Sequence, residues 1–129
     1  MTMKTRSALL VGAGPRWNDD LYPILQQMRF DVVSLESISD VRSALRGEEF
    51  QLIVVCGPFE GMSLVSTLDI AKSLAPDAQV VVLGEHMTER DLRDALISGC
   101  FAAVDRPLGY KDLSAILSSA DDGMLVYVR

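Results

Sequence analysis

Cysteine, histidine and aromatic residues are scarce in this 129-residue chain: two Cys, one His and 6% aromatic residues. Cys56 and Cys100 lie far apart. They make neither a disulfide framework nor a CxxC pair, which points to a reducing cytoplasm. His86 is the only histidine, so no His–His or His–Cys–Cys spacing is available for zinc, and no residue pattern suggests a Ser-His-Asp triad. Basic residues number 12 against 18 acidic ones, a net charge of −6. That balance argues against a phosphate-binding surface for nucleic acid and against attraction to anionic membranes. No apolar run approaches the roughly 20 residues of a membrane span. The polar start, MTMKTRS, precedes only a short apolar run, too brief for a signal-peptide core. What is present is 49% hydrophobic content, too much for a disordered chain. The length fits one domain over 1–129, and a chain of this size closes a core without a disulfide or metal staple.

Apolar runs alternate with amphipathic segments. Ala8-Leu9-Leu10-Val11 reads as a first strand, stopped by Gly12-Ala13-Gly14-Pro15. Asn18 is a candidate helix cap, with Asp19 and Asp20 in the first turn and Leu21, Ile24, Leu25 and Met28 on one face. Pro23 then falls early in that helix, where proline is tolerated. Residues 31–35 read as a second strand. A helix capped by Ser39 or Asp40 follows, with Val41, Ala44 and Leu45 inward and Gly47 as its stop. Leu52–Cys56 is continuous and β-branched, as a strand buried on both faces requires. Residues 62–74 read as a helix with Leu64, Val65, Leu68 and Ala71 inward, and Val80–Gly84 as a fourth strand. Thr88 caps the next helix, with Asp91 completing an acidic capping box. Leu92, Ala95 and Leu96 form its apolar stripe, and Gly99 ends it. Residues 101–104 give a short fifth strand, and 110–119 a last helix.

This alternation predicts an α/β fold, a doubly wound five-stranded parallel sheet flanked by five helices. Ligand chemistry in such a sheet gathers at the carboxyl ends of the strands. Here that edge carries Gly12 to Pro15, Cys56 to Pro58, Gly84 to His86 and Asp105 to Pro107. After an Asp121-Asp122-Gly123 turn, the β-prone run Met124–Val128 makes 121–129 a candidate extra strand, with self-association or a linker as its role.

Five stretches, in order and at matching spacings, resemble the bacterial response-regulator receiver domain over about residues 7–119. They are FDVVSLESISDVRSALRGEEFQLIVV, CGPFEGMSL, APDAQVVVLGEH, ALISGCFAAVDRPLG and KDLSAIL. The resemblance implies the CheY-like, flavodoxin-type fold with strand order 2-1-3-4-5. It also implies where a phosphorylation site would fall. Mg²⁺-binding acidic residues would sit at Gly12 and Ala13, the phosphoacceptor at Cys56, the hydroxyl at Gly84, and the lysine with its proline at Arg106 and Pro107. The reporting aromatic residue would sit at Ala103. Only a cation and its proline persist, and carboxylate oxygens are what hold Mg²⁺ and what metal-assisted phosphoryl transfer depends on. The chain therefore reads as a degenerate receiver with no metal, no cofactor and no catalysis.

Other readings stay open for single residues. Cys56 is either a thiol activated by Arg106 or a small buried hydrophobe. Arg106 either binds an anion or pairs with Asp105 or Glu85, and the resemblance allows a cis bond before Pro107. Trp17 is a contact anchor or a cover for the empty acidic pocket. His86 reads as a solvated loop residue. Gly12-Ala13-Gly14-Pro15 is a weak dinucleotide fingerprint, since Trp17 replaces its third glycine. The resemblance implies protein partners and a homodimer through the fourth helix, fifth strand and fifth helix. Arg90, Arg93, Asp94, Ala103, Asp105, Tyr110 and Lys111 are the candidates there. The expected function is a phosphorylation-independent signalling or transcriptional-control module of the cytoplasm, with no output domain within these residues. A ligand or anion sensor in the vacated pocket, residual phosphotransfer and a Cys-dependent enzyme are the alternatives.

Overall fold

The computed structural model describes residues 6–36, 38–59, 64–105 and 109–122. In chain order the elements are β1 (Arg6–Val11), α1 (Pro15–Gln27), β2 (Phe30–Leu35), α2 (Ile38–Gly47) and β3 (Leu52–Cys56). Then come α3 (Leu64–Leu74), β4 (Gln79–Gly84), α4 (Glu89–Ile97), β5 (Ala102–Asp105) and α5 (Tyr110–Asp122). The strands pair in parallel in the order β2-β1-β3-β4-β5. The reversal between β1 and β3 opens a crevice at the carboxyl edge.

Side chains alternate across a strand, so the continuously apolar central strands feed two cores. Ala8, Leu10, Val54 and Cys56 face one side, packed under α1 and α5 with Leu21, Leu25, Ile116 and Leu117. Leu9, Val11, Ile53 and Val55 face the other, under α2, α3 and α4 with Val41, Leu68 and Ala95. All five residues of β3 are buried.

Several helix boundaries and faces differ from expectation. Helix α1 starts at Pro15, with Gly14 as an N-cap that makes no side-chain hydrogen bond. Proline is pre-organised for that first position and needs no N–H there. Asn18 therefore lies inside the helix, and its amide Nδ2 donates to the Ala13 carbonyl at 3.1 Å. Asp19 and Asp20 fall beyond the first turn, and Pro23 stands well inside the helix, where its ring removes one backbone bond. Helix α2 begins at Ile38, ahead of the expected cap, with Asp40 in its first turn. In α3 Val65 points outward and Thr67 is buried in its place. Helix α4 has the Thr88–Asp91 capping box and is followed by Gly99 at φ 81°, but only Ala95 of its expected stripe is buried. Asp121 and Asp122 belong to α5 and form no turn. Asp121 pairs with Arg6, whose guanidinium lies 4.2 Å from the Phe30 ring centroid. Residues 123–129, with the expected extra strand, lie outside the described residues.

Leu9 is 0% exposed in the middle of the sheet, whereas Leu96 on α4 is 58% exposed. Leu9→Ala is expected to cost about 2–5 kcal/mol of folding free energy through lost burial and a cavity. Leu96→Ala should change it by no more than about 0.5 kcal/mol. Urea unfolding of the two variants measures both, and equal losses would contradict this packing.

Candidate functional site

The carboxyl ends of β1, β3 and β4 converge, with Val11 paired to Val55, Cys56 to Leu83 and Gly84 to Asp105. Gly12 turns the chain out of β1 at φ 74°, a conformation that suits glycine, while its N–H donates to the Leu35 carbonyl at 2.7 Å. Ala13 is buried and Cys56 is 0% exposed. Both belong to the α1–α5 core. Trp17, on the first turns of α1, is only 2% exposed in the same core. Its indole Nε1–H donates to the Gly57 carbonyl at 2.7 Å. The indole thus brings its one polar group to a partner, as a buried tryptophan requires.

A second side chain closes the β4 end. A Cβ built on Gly84 would collide with Cγ and Sδ of Met87, so the methionine occupies the place a side chain at 84 would take. The Met87 N–H donates to Asp105 Oδ2 at 3.1 Å. Asp105 Oδ1 is buried and has no hydrogen-bond partner among the described residues. Leaving such an acceptor unpaired costs about 1–3 kcal/mol. Arg16 and Glu85 pair at 3.3 Å between the first turn of α1 and the β4–α4 loop. Arg16 is largely exposed, and a surface pair of this kind contributes about 0–1 kcal/mol.

The structure therefore brings Gly12, Ala13, Cys56 and Gly84 to one edge. Trp17 on the α1–α5 face and Met87 on the other face pack at this edge, and a cavity of about 350 Å³ lined by Pro58, Phe59, Leu64, Glu85, His86, Thr88 and Asp91 opens beside the loops after β3 and β4. Cys56 is buried in the α1–α5 core. Arg106, Pro107 and the bond between them lie outside the described residues, so their anion-binding and ion-pair readings do too. Glu85, one of the two carboxylates considered for Arg106, pairs with Arg16. Asp105 is turned into the β4–α4 loop and is not an exposed contact residue. His86 is an exposed loop residue with φ 58°.

Magnesium needs several hard oxygen ligands. Gly12 and Ala13 supply no side-chain oxygen, Cys56 offers a buried sulfur, and the indole of Trp17 stands beside them. The residues present do not fit the ion. Among the described residues no group of three or more His, Cys, Asp or Glu side chains is placed to hold a metal. No helix among them is long and apolar enough to cross a membrane.

No family model and no curated protein matches this chain. Solved structures do. A CheY-like response-regulator receiver domain from Methanospirillum hungatei superposes with a TM-score of 0.81 at 18% identity, covering 93% of this chain and 96% of that one. The fold is that of a receiver domain. A Burkholderia pseudomallei response regulator, solved with a phosphorylated aspartic acid, calcium ion and citrate, aligns at TM-score 0.75 and 18% identity, covering 92% of this chain and 70% of that chain. An orphan response regulator of H. pylori aligns at 0.74 and 16%, covering 88% and 95%.

On the receiver fold, α4, β5 and the start of α5 form one flank. Arg90, Arg93 and Lys111 are exposed there, Asp94 and Ala103 are half-buried, and Tyr110 is exposed with its hydroxyl donating to Gln27 at 3.3 Å. The sequence reading missed the apolar part of this flank: Leu92, Leu96 and Ile97 are 40%, 58% and 75% exposed. The expected cap at Asn18 also leaves Trp17 ahead of the helix, whereas the structure has it within α1. Helical spacing offered a signal, since Trp17 precedes Leu21, Ile24, Leu25 and Met28 in phase.

Burial raises the Cys100 thiol pKa, against lesser lowering by a backbone hydrogen bond and by Lys72. A thiol whose folded pKa is raised stabilises the fold while protonated, and that contribution is lost as pH rises through the folded value. Stability is therefore expected to fall as pH climbs above the ordinary thiol range, and Cys100→Ser to flatten part of that fall. Urea titrations at neutral and alkaline pH measure it, and identical slopes in the two proteins would contradict it. In the native protein Cys100 should alkylate slowly and Cys56 not at all.

Proposed function

We propose that this chain is a phosphorylation-independent receiver module of cytoplasmic signalling or transcriptional control. It acts by protein–protein contact and catalyses nothing. The observation that carries this reading is the Trp17 indole, buried beside Ala13 and Cys56 and bonded to Gly57, at the edge where a receiver would gather metal and phosphoryl group. Phosphoryl transfer is mostly positioning and charge neutralisation, and Gly12, Ala13 and Cys56 supply no carboxylate at this edge. The reading extends to self-association through the α4–β5–α5 flank. Leu92 and Leu96 lie one helical turn apart on α4, Ile97 beside them, with Arg90, Arg93 and Lys111 around the patch. An apolar centre inside a charged rim is how stable contacts are built. The net charge of −6 supports protein partners over nucleic acid.

Beryllium fluoride with Mg²⁺, a phosphoryl mimic, is expected to leave the amide NMR spectrum at the strand ends unchanged. A saturable shift there would overturn phosphorylation independence. Sedimentation velocity tests the contact flank. Ile97→Asp is expected to weaken self-association by about 2 kcal/mol or more, the scale of a central contact residue, while thermal unfolding at dilutions where both proteins are monomeric stays unchanged. A wild-type protein that is monomeric at all concentrations would remove the dimer.

A further inference from the structure

Trp17 does more than fill space, because its hydrogen bond falls on the residue where two loops meet. The Gly57 N–H donates to the Leu83 carbonyl at 2.7 Å, the last backbone step before Gly84. A Cβ on Gly57 would come within 2.9 Å of the Glu85 N and 3.3 Å of the Gly84 Cα, so the two backbones touch with no room for a side chain. Gly84 in turn lies beneath Met87, whose N–H is held by Asp105. The next residue, Thr88, is the cap from which α4 starts, its hydroxyl accepting the Asp91 N–H at 3.1 Å. From the indole to the first turn of α4 every step is a hydrogen bond or a close packed contact between described residues. Close-packed interiors transmit displacement and do not absorb it.

We propose that Trp17 is a permanent internal latch. Its indole pins the Gly57 carbonyl, the pinned Gly57 backbone sets the β4–α4 loop through Gly84 and Glu85, and Met87 passes that setting to the origin of α4. The position of α4 is then built into the chain and requires no bound ligand. The latch concerns regulation of the contact flank, and so rests on the proposed function in that one respect. The hydrogen-bonded and packed series itself is independent of what α4 contacts.

Trp17 is the only tryptophan, so its indole N–H gives a single NMR resonance. Trp17→Phe keeps an aromatic body and removes the donor. It is expected to move amide resonances at Gly57 to Phe59 and also at Glu85 to Thr88, Asp91 and Asp105. Changes confined to α1 and residues 57–59 would overturn the latch. Gly84→Ala approaches from the far end by displacing Met87. Because coupling between two sites is reciprocal, it is expected to shift the indole N–H and speed its exchange with solvent. An indole signal unmoved while the Met87 amide shifts would also overturn the proposal. Self-association of Trp17→Phe is read separately. A propagated shift with unaltered association keeps the latch and overturns the flank as the contact surface.

Discussion

The buried hydrogen bond from the Trp17 indole to the Gly57 carbonyl joins the first helix of the fold to the end of its central strand. A buried indole N–H needs an acceptor, and the Gly57 carbonyl is that acceptor. The aromatic body then lies in the α1–α5 core with Ala13 and Cys56. With the edge closed in this way, the loops after β3 and β4 pack against each other.

The same constraint explains the composition of the edge. A carboxylate cluster is stable at a strand end only when a cation or several donors balance it. Where the receiver pattern places acidic residues, this chain has Gly12 and Ala13, and an apolar plug needs no balancing ion. One carboxylate remains close by. Asp105 gives one oxygen to the Met87 N–H and leaves the other unpaired among the described residues. Most of the other acidic residues among those described are exposed.

Much of the fold was legible because its signals are local. Continuous apolar runs such as Leu52–Cys56 demand burial on both faces, and the Thr88–Asp91 box marked the start of α4. The candidate site was legible in part. Its strand-end residues follow from the alternation of strands and helices, but what fills the space among them depends on neighbours distant in sequence. The cap expected at Asn18 leaves Trp17 ahead of the helix because Gly14-Pro15 reads as a turn, although proline also opens helices. Met87 meets Gly84 only because the β4–α4 loop folds back. Leu92 and Leu96 were expected inside because helical spacing marks a face without saying whether anything covers it. On α4 only Ala95 reaches the core.

In the proposed reading, the buried Trp17 indole stands at a strand-end edge that supplies no oxygen cluster for a metal ion. Trp17, alone in the sequence and placed on that edge, reports it directly by fluorescence. Titration with Mg²⁺ to millimolar concentration is predicted to leave emission intensity and wavelength unchanged, because no oxygen cluster awaits the ion. A saturable change in emission, reversed by a chelator, would contradict the account.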